Sequence, residues 1–147
     1  MKKWLIILFF FLTSCTITRW GTNEVLMVEH YDLHFVTIKV NGKIGNLLVD
    51  TGASKSLLDI TKAEEYGFEY LLLAKSQYIG LGGKTDIYVI YNYEIEGPWV
   101  TFLGADLSGL QEYFTKDDIH IIGILGVDFL DNNNCTLDFT NNKIYIN

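Results

Sequence analysis

The chain has 147 residues, enough for one ordinary domain and too few for two. Hydrophobic residues make up 49% and aromatic residues 14% of it, so a packed core can form and intrinsic disorder is excluded. With 11 basic against 18 acidic residues the net charge is −7 and no basic stripe occurs, which excludes nucleic acid as a partner.

The opening segment is a separate object. MKKWLIILFFFLTSC has basic residues at Lys2 and Lys3, an apolar run from Trp4 to Leu12, then Thr13, Ser14 and Cys15. The apolar run is well short of the ~20 residues that a spanning helix needs, and its layout suits a secretory signal. Leu12-Thr13-Ser14-Cys15 also resembles the lipobox of bacterial lipoproteins. That resemblance implies a signal peptide over 1–14, a lipidated tether over 15–23 beginning at Cys15, and one folded domain over 24–147. The expected location is the bacterial cell envelope, anchored to membrane by lipid and facing outward from the cytoplasm. Cys135 is then the only thiol left, so no intrachain disulfide can form, and its expected role is apolar packing.

Beyond the tether the patterns are those of short strands. His34 to Val40 alternates, Asn41-Gly42 is a type I′ hairpin signal, and Lys43 to Asp50 runs back. Lys62 to Tyr66 reads as a short helix, with Thr61 and Glu64 at capping-box spacing and Gly67 as its stop. DIYVIYNYEIEGPWVTFLGA predicts two long β-rich runs either side of Gly97-Pro98. Ile87, Val89, Tyr91, Tyr93 and Ile95 share one face of the first at period two. A second short helix is expected from a Ser108 cap, with Gln111 three residues on. HIIGILGVDFL reads as a buried strand passing through glycines into a helix, and CTLDFTNNKIYIN as a hairpin around Asn141-Asn142. The fold class is therefore all-β, or β-rich with two or three short helices.

One stretch stands apart. In NLLVDTGASKSLL an ionisable residue, Asp50, sits at the tip of an apolar strand, followed by Thr51, Gly52, Ala53 and Ser54. Further on come a glycine-rich YIGLGGKT (Tyr78 to Thr85) and the late IIGILGVDFL. Together, in this order, they resemble the retropepsin-like aspartic proteases, single-lobed relatives of pepsin that work as homodimers. The resemblance runs from about Val36 to the C-terminus and implies a closed β-barrel of acid-protease type, one lobe per chain.

The resemblance also assigns roles. Two Asp50 carboxyl groups, one from each chain, would activate a water for peptide hydrolysis, with no cofactor and no metal; such a pair shares a proton because two charges so close cannot both form. Gly52 lets backbone approach the pair. Thr51 would reach the partner loop, and Ala53 and Ser54 would support the site, Ser54 as an outer hydrogen-bonding group. Ile79, Gly80, Leu81, Gly82 and Gly83 would form a flap over an extended peptide, and Ile121, Ile122 and Gly123 would pack under the Asp50 loop. Gly126 to Leu130 would open the following helix. The long segment between flap and Ile121 departs from the family, so substrate pockets cannot be transferred.

Other chemistries fit less well. DLSG at Asp106 to Gly109 has an extra residue before its glycine and no apolar strand leading into it, so the chain holds a single motif and needs a second copy. His30 and His34, four apart in an expected strand, are too far apart to share a metal. No Ser-His-Asp set is defensible, and GLGGKT lacks the length of a phosphate loop. The remaining rival is a silent envelope lipoprotein that keeps the fold as a peptide-binding or interaction module. An ionisable group kept at the dimer axis argues against it, since an unneeded buried charge costs stability.

Overall fold

The computed structural model describes residues 23–80, 83–114 and 119–147, with backbone alone for 74–80 and 83. A first group of strands comprises β1 (Glu24–Leu26), β2 (Val28–His30), β3 (Leu33–Val40), β4 (Lys43–Val49) and β5 (Leu57–Asp59). A 3-10 turn over Ile60–Lys62 runs into α1 (Ala63–Tyr66), and then come β6 (Glu69–Gly80), β7 (Gly83–Tyr91), β8 (Ile95–Glu96) and β9 (Leu103–Ala105). The chain ends with α2 (Ser108–Phe114), β10 (Ile121–Leu125), α3 (Val127–Asn132), β11 (Thr136–Asp138) and β12 (Lys143–Tyr145). It is the β-rich domain with short helices that the sequence predicts.

The main sheet runs β2-β3-β4-β10-β5-β9-β7-β6, with β8 added beside β3. Its arrangement follows from local turns. Asn41 and Gly42 take φ of 48° and 78°, the left-handed pair of a type I′ turn, and Val40 faces Lys43 across it. The Asn41 side chain then ties the turn down by donating to the carbonyls of Tyr66 and Gly67 and accepting from the Glu94 N–H. Gly67, at φ 72°, ends α1 as expected, its N–H bonding the Ala63 carbonyl.

Five readings of the sequence need correction. His30 and His34 are not on one strand. Tyr31 and Asp32 form a second left-handed turn without any glycine (φ 51° and 60°), so His30 pairs with Leu33 and His34 with Glu29 across a hairpin. The cap ahead of α1 is Asp59, whose carboxylate accepts from the Thr61 N–H, because the turn starts earlier than Thr61. At α2 the Asp106 carboxylate accepts from the Ser108 N–H, Ser108 being already inside the helix. Finally, β8 and β9 are short, since Gly97 is buried against Ile38 and Pro98 offers no N–H to a ladder. The period-two face of β7 also fails. Ile87 and Ile90, of opposite parity, are the buried pair, while Val89 and Tyr91 are 38% and 43% exposed. The register of the β6–β7 ribbon shifts between Leu72 and Ala74, and the two faces of β7 are covered at different ends.

Two apolar clusters lie on opposite faces of β4. Leu47 belongs to the larger one, with Val36, Ile38, Ile122, Leu125 and Phe129. Leu48 belongs to the smaller, with Phe35, Phe114 and Ile121. A separate three-stranded sheet, β1-β12-β11, joins the two ends of the domain, with Val25 opposite Ile144 and both fully buried. Cys135 packs at the edge of the larger cluster, and burial raises its thiol pKa.

Candidate active site

The Asp50 loop leaves β4 and returns as β5, and β10 lies between those two strands, parallel to β4 and antiparallel to β5. The loop therefore arches over the C-terminal end of β10. Its first anchor is the Asp50 N–H, which donates to the Leu125 carbonyl at 3.0 Å. The chain then tightens: the Ala53 N–H donates to the Asp50 carbonyl, and the Gly52 N–H donates to Asp50 Oδ1 at 2.7 Å. A bond of that length fixes the direction of the carboxyl group. Thr51, Gly52 and Ser54 are exposed and Ala53 is partly covered.

The loop rests on the start of α3. The Val127 N–H donates to the Ala53 carbonyl at 2.8 Å. A Cβ on Gly126 would lie 2.7 Å from the carbonyl oxygens of Ala53 and Lys55, so only glycine permits this contact. Ser56 completes the seat. Fully buried, it donates from its hydroxyl to Asp128 Oδ1 at 2.7 Å and from its N–H to Asp128 Oδ2 at 3.1 Å, and its Oγ accepts the Gly126 N–H at 3.0 Å. The carboxylate of Asp128 thus ties the far end of the loop, at Ser56, to α3.

These contacts redistribute the roles read from sequence. The buried hydroxyl that supports the loop is Ser56, two residues beyond Ser54. Of the segment expected to pack beneath it, Ile121 joins the smaller cluster and Ile122 packs on Gly45. Gly123 meets the backbone of Leu57. The residues that touch the loop are Leu125, Gly126, Val127 and Asp128. The signal was present, because Ile124-Leu125-Gly126 repeats the apolar-apolar-glycine pattern three residues later. The backbones of Ile79 and Gly80 pair with Lys84 and Gly83 as an antiparallel hairpin, while Leu81 and Gly82 lie outside the described residues. Cys15 also lies outside them.

An apolar row crosses the sheet beside this loop. Cross-strand partners share a face, and the register links Val28, Phe35, Leu48, Ile124, Leu57, Leu103, Val89 and Leu71 in one line, one residue per strand. Asp50 follows Leu48 by two residues, just past the end of β4. Phe35 and Leu48 are covered, at 2% and 9% exposure, whereas Val89 and Leu71 reach 38% and 65%. Nothing in the sequence alone shows this row, because it is written in the register between strands.

A carboxylate at the end of a buried strand, on a glycine-bearing loop locked to a strand and a helix start, defines a lobe of the aspartic protease class. The chain belongs to the aspartyl protease family, whose model matches residues 36–129. The structure is similar to a retropepsin-like aspartic protease from Rickettsia conorii, with 19% identity and a TM-score of 0.50 over 82% of this chain and 87% of that one. It is also similar to the EIAV protease complexed with the inhibitor HBY-793 (19% identity, TM-score 0.48, 76% of this chain and 100% of that one). A third similarity is to the retroviral protease-like domain of Ddi1 from Leishmania major (18% identity, TM-score 0.45, 77% and 86%). No curated protein matches the sequence. The fold is that of the retropepsin-like proteases.

Proposed function

We propose that this chain is one half of an aspartic endopeptidase, and that two copies meet about a two-fold axis with an Asp50 from each. The observation that carries the proposal is the Asp50 carboxylate, held by the Gly52 N–H on a loop anchored to β10 and α3. One Asp50 acts as general base and takes a proton from a water, whose oxygen attacks the peptide carbonyl. The other, protonated, donates to the carbonyl oxygen as the tetrahedral intermediate forms. A proton then passes to the leaving nitrogen, the C–N bond breaks, and the pair returns to its starting state. The substrate is a peptide in extended conformation, its backbone bound as an added strand under the β6–β7 hairpin and its side chains alternating along the row. Thr51, exposed at the loop tip, meets the partner's loop.

Acylation at Cys15 would hold the domain to a membrane of the bacterial envelope and confine copies to a surface, which raises the effective concentration for pairing. The test is Asp50→Asn, assayed for peptide cleavage and by sedimentation across concentration. The expected result is a dimer without cleavage, and parent activity per chain that falls as the dimer dissociates. Cleavage by the Asn variant overturns the assignment of Asp50. Full activity of a sedimenting monomer overturns the two-fold site. A parent that binds peptides and never cuts them is the silent module instead.

A further inference from the structure

Helix α2 lies in the long segment between the β6–β7 hairpin and Ile121, and the structure shows how it is held. Asp59 is a fully buried carboxylate that the mechanism does not use. It accepts from the N–H groups of Thr61 at 3.0 Å and Leu107 at 3.2 Å, and from Gln111 Nε2 at 2.7 Å. Gln111 spends its other Nε2 hydrogen on the Ile121 carbonyl at 3.0 Å. One carboxylate therefore joins β5, the strand that leaves the Asp50 loop, to the start of α2, and through Gln111 to β10. On its inner side α2 places Phe114 edge-on against Phe35, ring centres 5.6 Å apart, and adds Leu110 to the cluster that contains Leu48.

Leu48 is the residue of the row nearest to Asp50 along β4. Helix α2 covers the row at Phe35 and Leu48, while Ile124, Leu57 and Leu103 on one side are only partly covered and Val28 at the other end is 52% exposed. We infer that α2 is the wall of the substrate cleft over Phe35 and Leu48, and that Asp59, acting through Gln111, is a positioning residue that sets which side chains fit beside Asp50. The cleft takes small side chains toward α2 and large aliphatic ones toward Ile124, Leu57 and Leu103. This inference rests on the proposed peptidase reading and goes beyond it by naming a substrate preference and the residues that impose it.

The experiment uses the full chain, a set of peptides that vary side-chain size on each side of one bond, and mass spectrometry to locate the cuts. Gln111→Ala unlatches the wall, and Leu110→Ala trims it at a partly buried position where folding is less at risk. For the parent's best peptide, KM should rise on the order of tenfold, with kcat changed far less. Peptides with a large residue toward α2, poor for the parent, should improve in kcat/KM by on the order of tenfold. A simple loss of stability would lower all peptides together and leave their ranking intact. An unchanged size ranking in both variants, with an active parent, overturns the inference alone. A parent that cuts no peptide overturns the peptidase reading and this inference with it.

Discussion

Replacing Gly126 by alanine tests whether the start of α3 truly seats the Asp50 loop. The backbone there has φ −96° and ψ −177°, an extended conformation open to any residue, so alanine brings no backbone strain. Its only effect is contact. The new Cβ would lie 2.7 Å from Ala53 O, Lys55 C and Lys55 O, all backbone atoms, and ordinary contact begins at 3.4 Å. The loop must retreat by about 0.7 Å or α3 must shift by as much, which strains the bonds from Val127 to Ala53 and from Asp50 to Leu125. Overpacking of this kind costs roughly 1–3 kcal/mol, a fall in Tm of about 4–12 °C for a domain of this size. Activity should suffer more than stability, since a displacement near 1 Å can cost on the order of a hundredfold in rate. Gly67→Ala is the comparison. Its penalty is conformational, at φ 72°, with its nearest neighbour 3.5 Å away and no contact with the loop. Thermal unfolding of both variants, with peptide cleavage measured well below either Tm, separates the two effects. Equal residual activity in the two variants, or a Gly126→Ala protein as active as the parent, would refute the seat described above.

Ser56→Ala removes the acceptor of the Gly126 N–H and the hydroxyl donor to Asp128, so stability should fall by about 1–3 kcal/mol in urea unfolding; an unchanged midpoint would mean that the network is not needed. The hydrogen bonds from Ser108 hold the Asp106 carboxyl below its ordinary value of 3.8. A lowered folded pKa gives stability that is present above the unfolded value and lost as pH falls through the folded one. The gap in unfolding midpoint between parent and Asp106→Ala should therefore narrow as pH drops from about 5 toward 3, and a gap that widens contradicts the sign. Cys15→Ala should leave the chain unprocessed or free of membranes in fractionation, and unchanged membrane partitioning would dismiss the lipid anchor. Burial at Cys135 predicts slow alkylation of its thiol at neutral pH in the folded domain and fast alkylation in urea; equal rates would show an open thiol.

Local chemistry decided which parts of the structure were readable from sequence. Asn41-Gly42 and Gly67 announce left-handed backbone by residue type, and Asp50-Thr51-Gly52 at the end of an apolar strand announces its loop. The turn at Tyr31-Asp32 carries no such sign, so a hairpin was read as one strand. The support of the loop was misplaced for a different reason. Two apolar-apolar-glycine runs follow one another from Ile121 to Gly126, and only pairing with β4 and β5 shows which one meets Ala53 and Lys55. Ser56 and Asp128 are 72 residues apart in sequence, and Asp59 and Gln111 are 52 apart. Each looks like a surface polar residue until the fold brings its partner to it.

That separation also sets an order of events. The Asp50 motif is complete by Gly52, but its seat arrives only with Leu125 to Asp128. Closing a loop of about seventy residues is slow compared with zipping a local hairpin. While the chain is being made, β3 and β4 can pair early and Asp50 has no fixed direction. The carboxylate gains its geometry late, when β10 slots between β4 and β5 and the strand ends are already committed. A partly folded copy therefore carries Asp50 without its fixed geometry, and the activity proposed for that carboxylate would wait until the domain is whole.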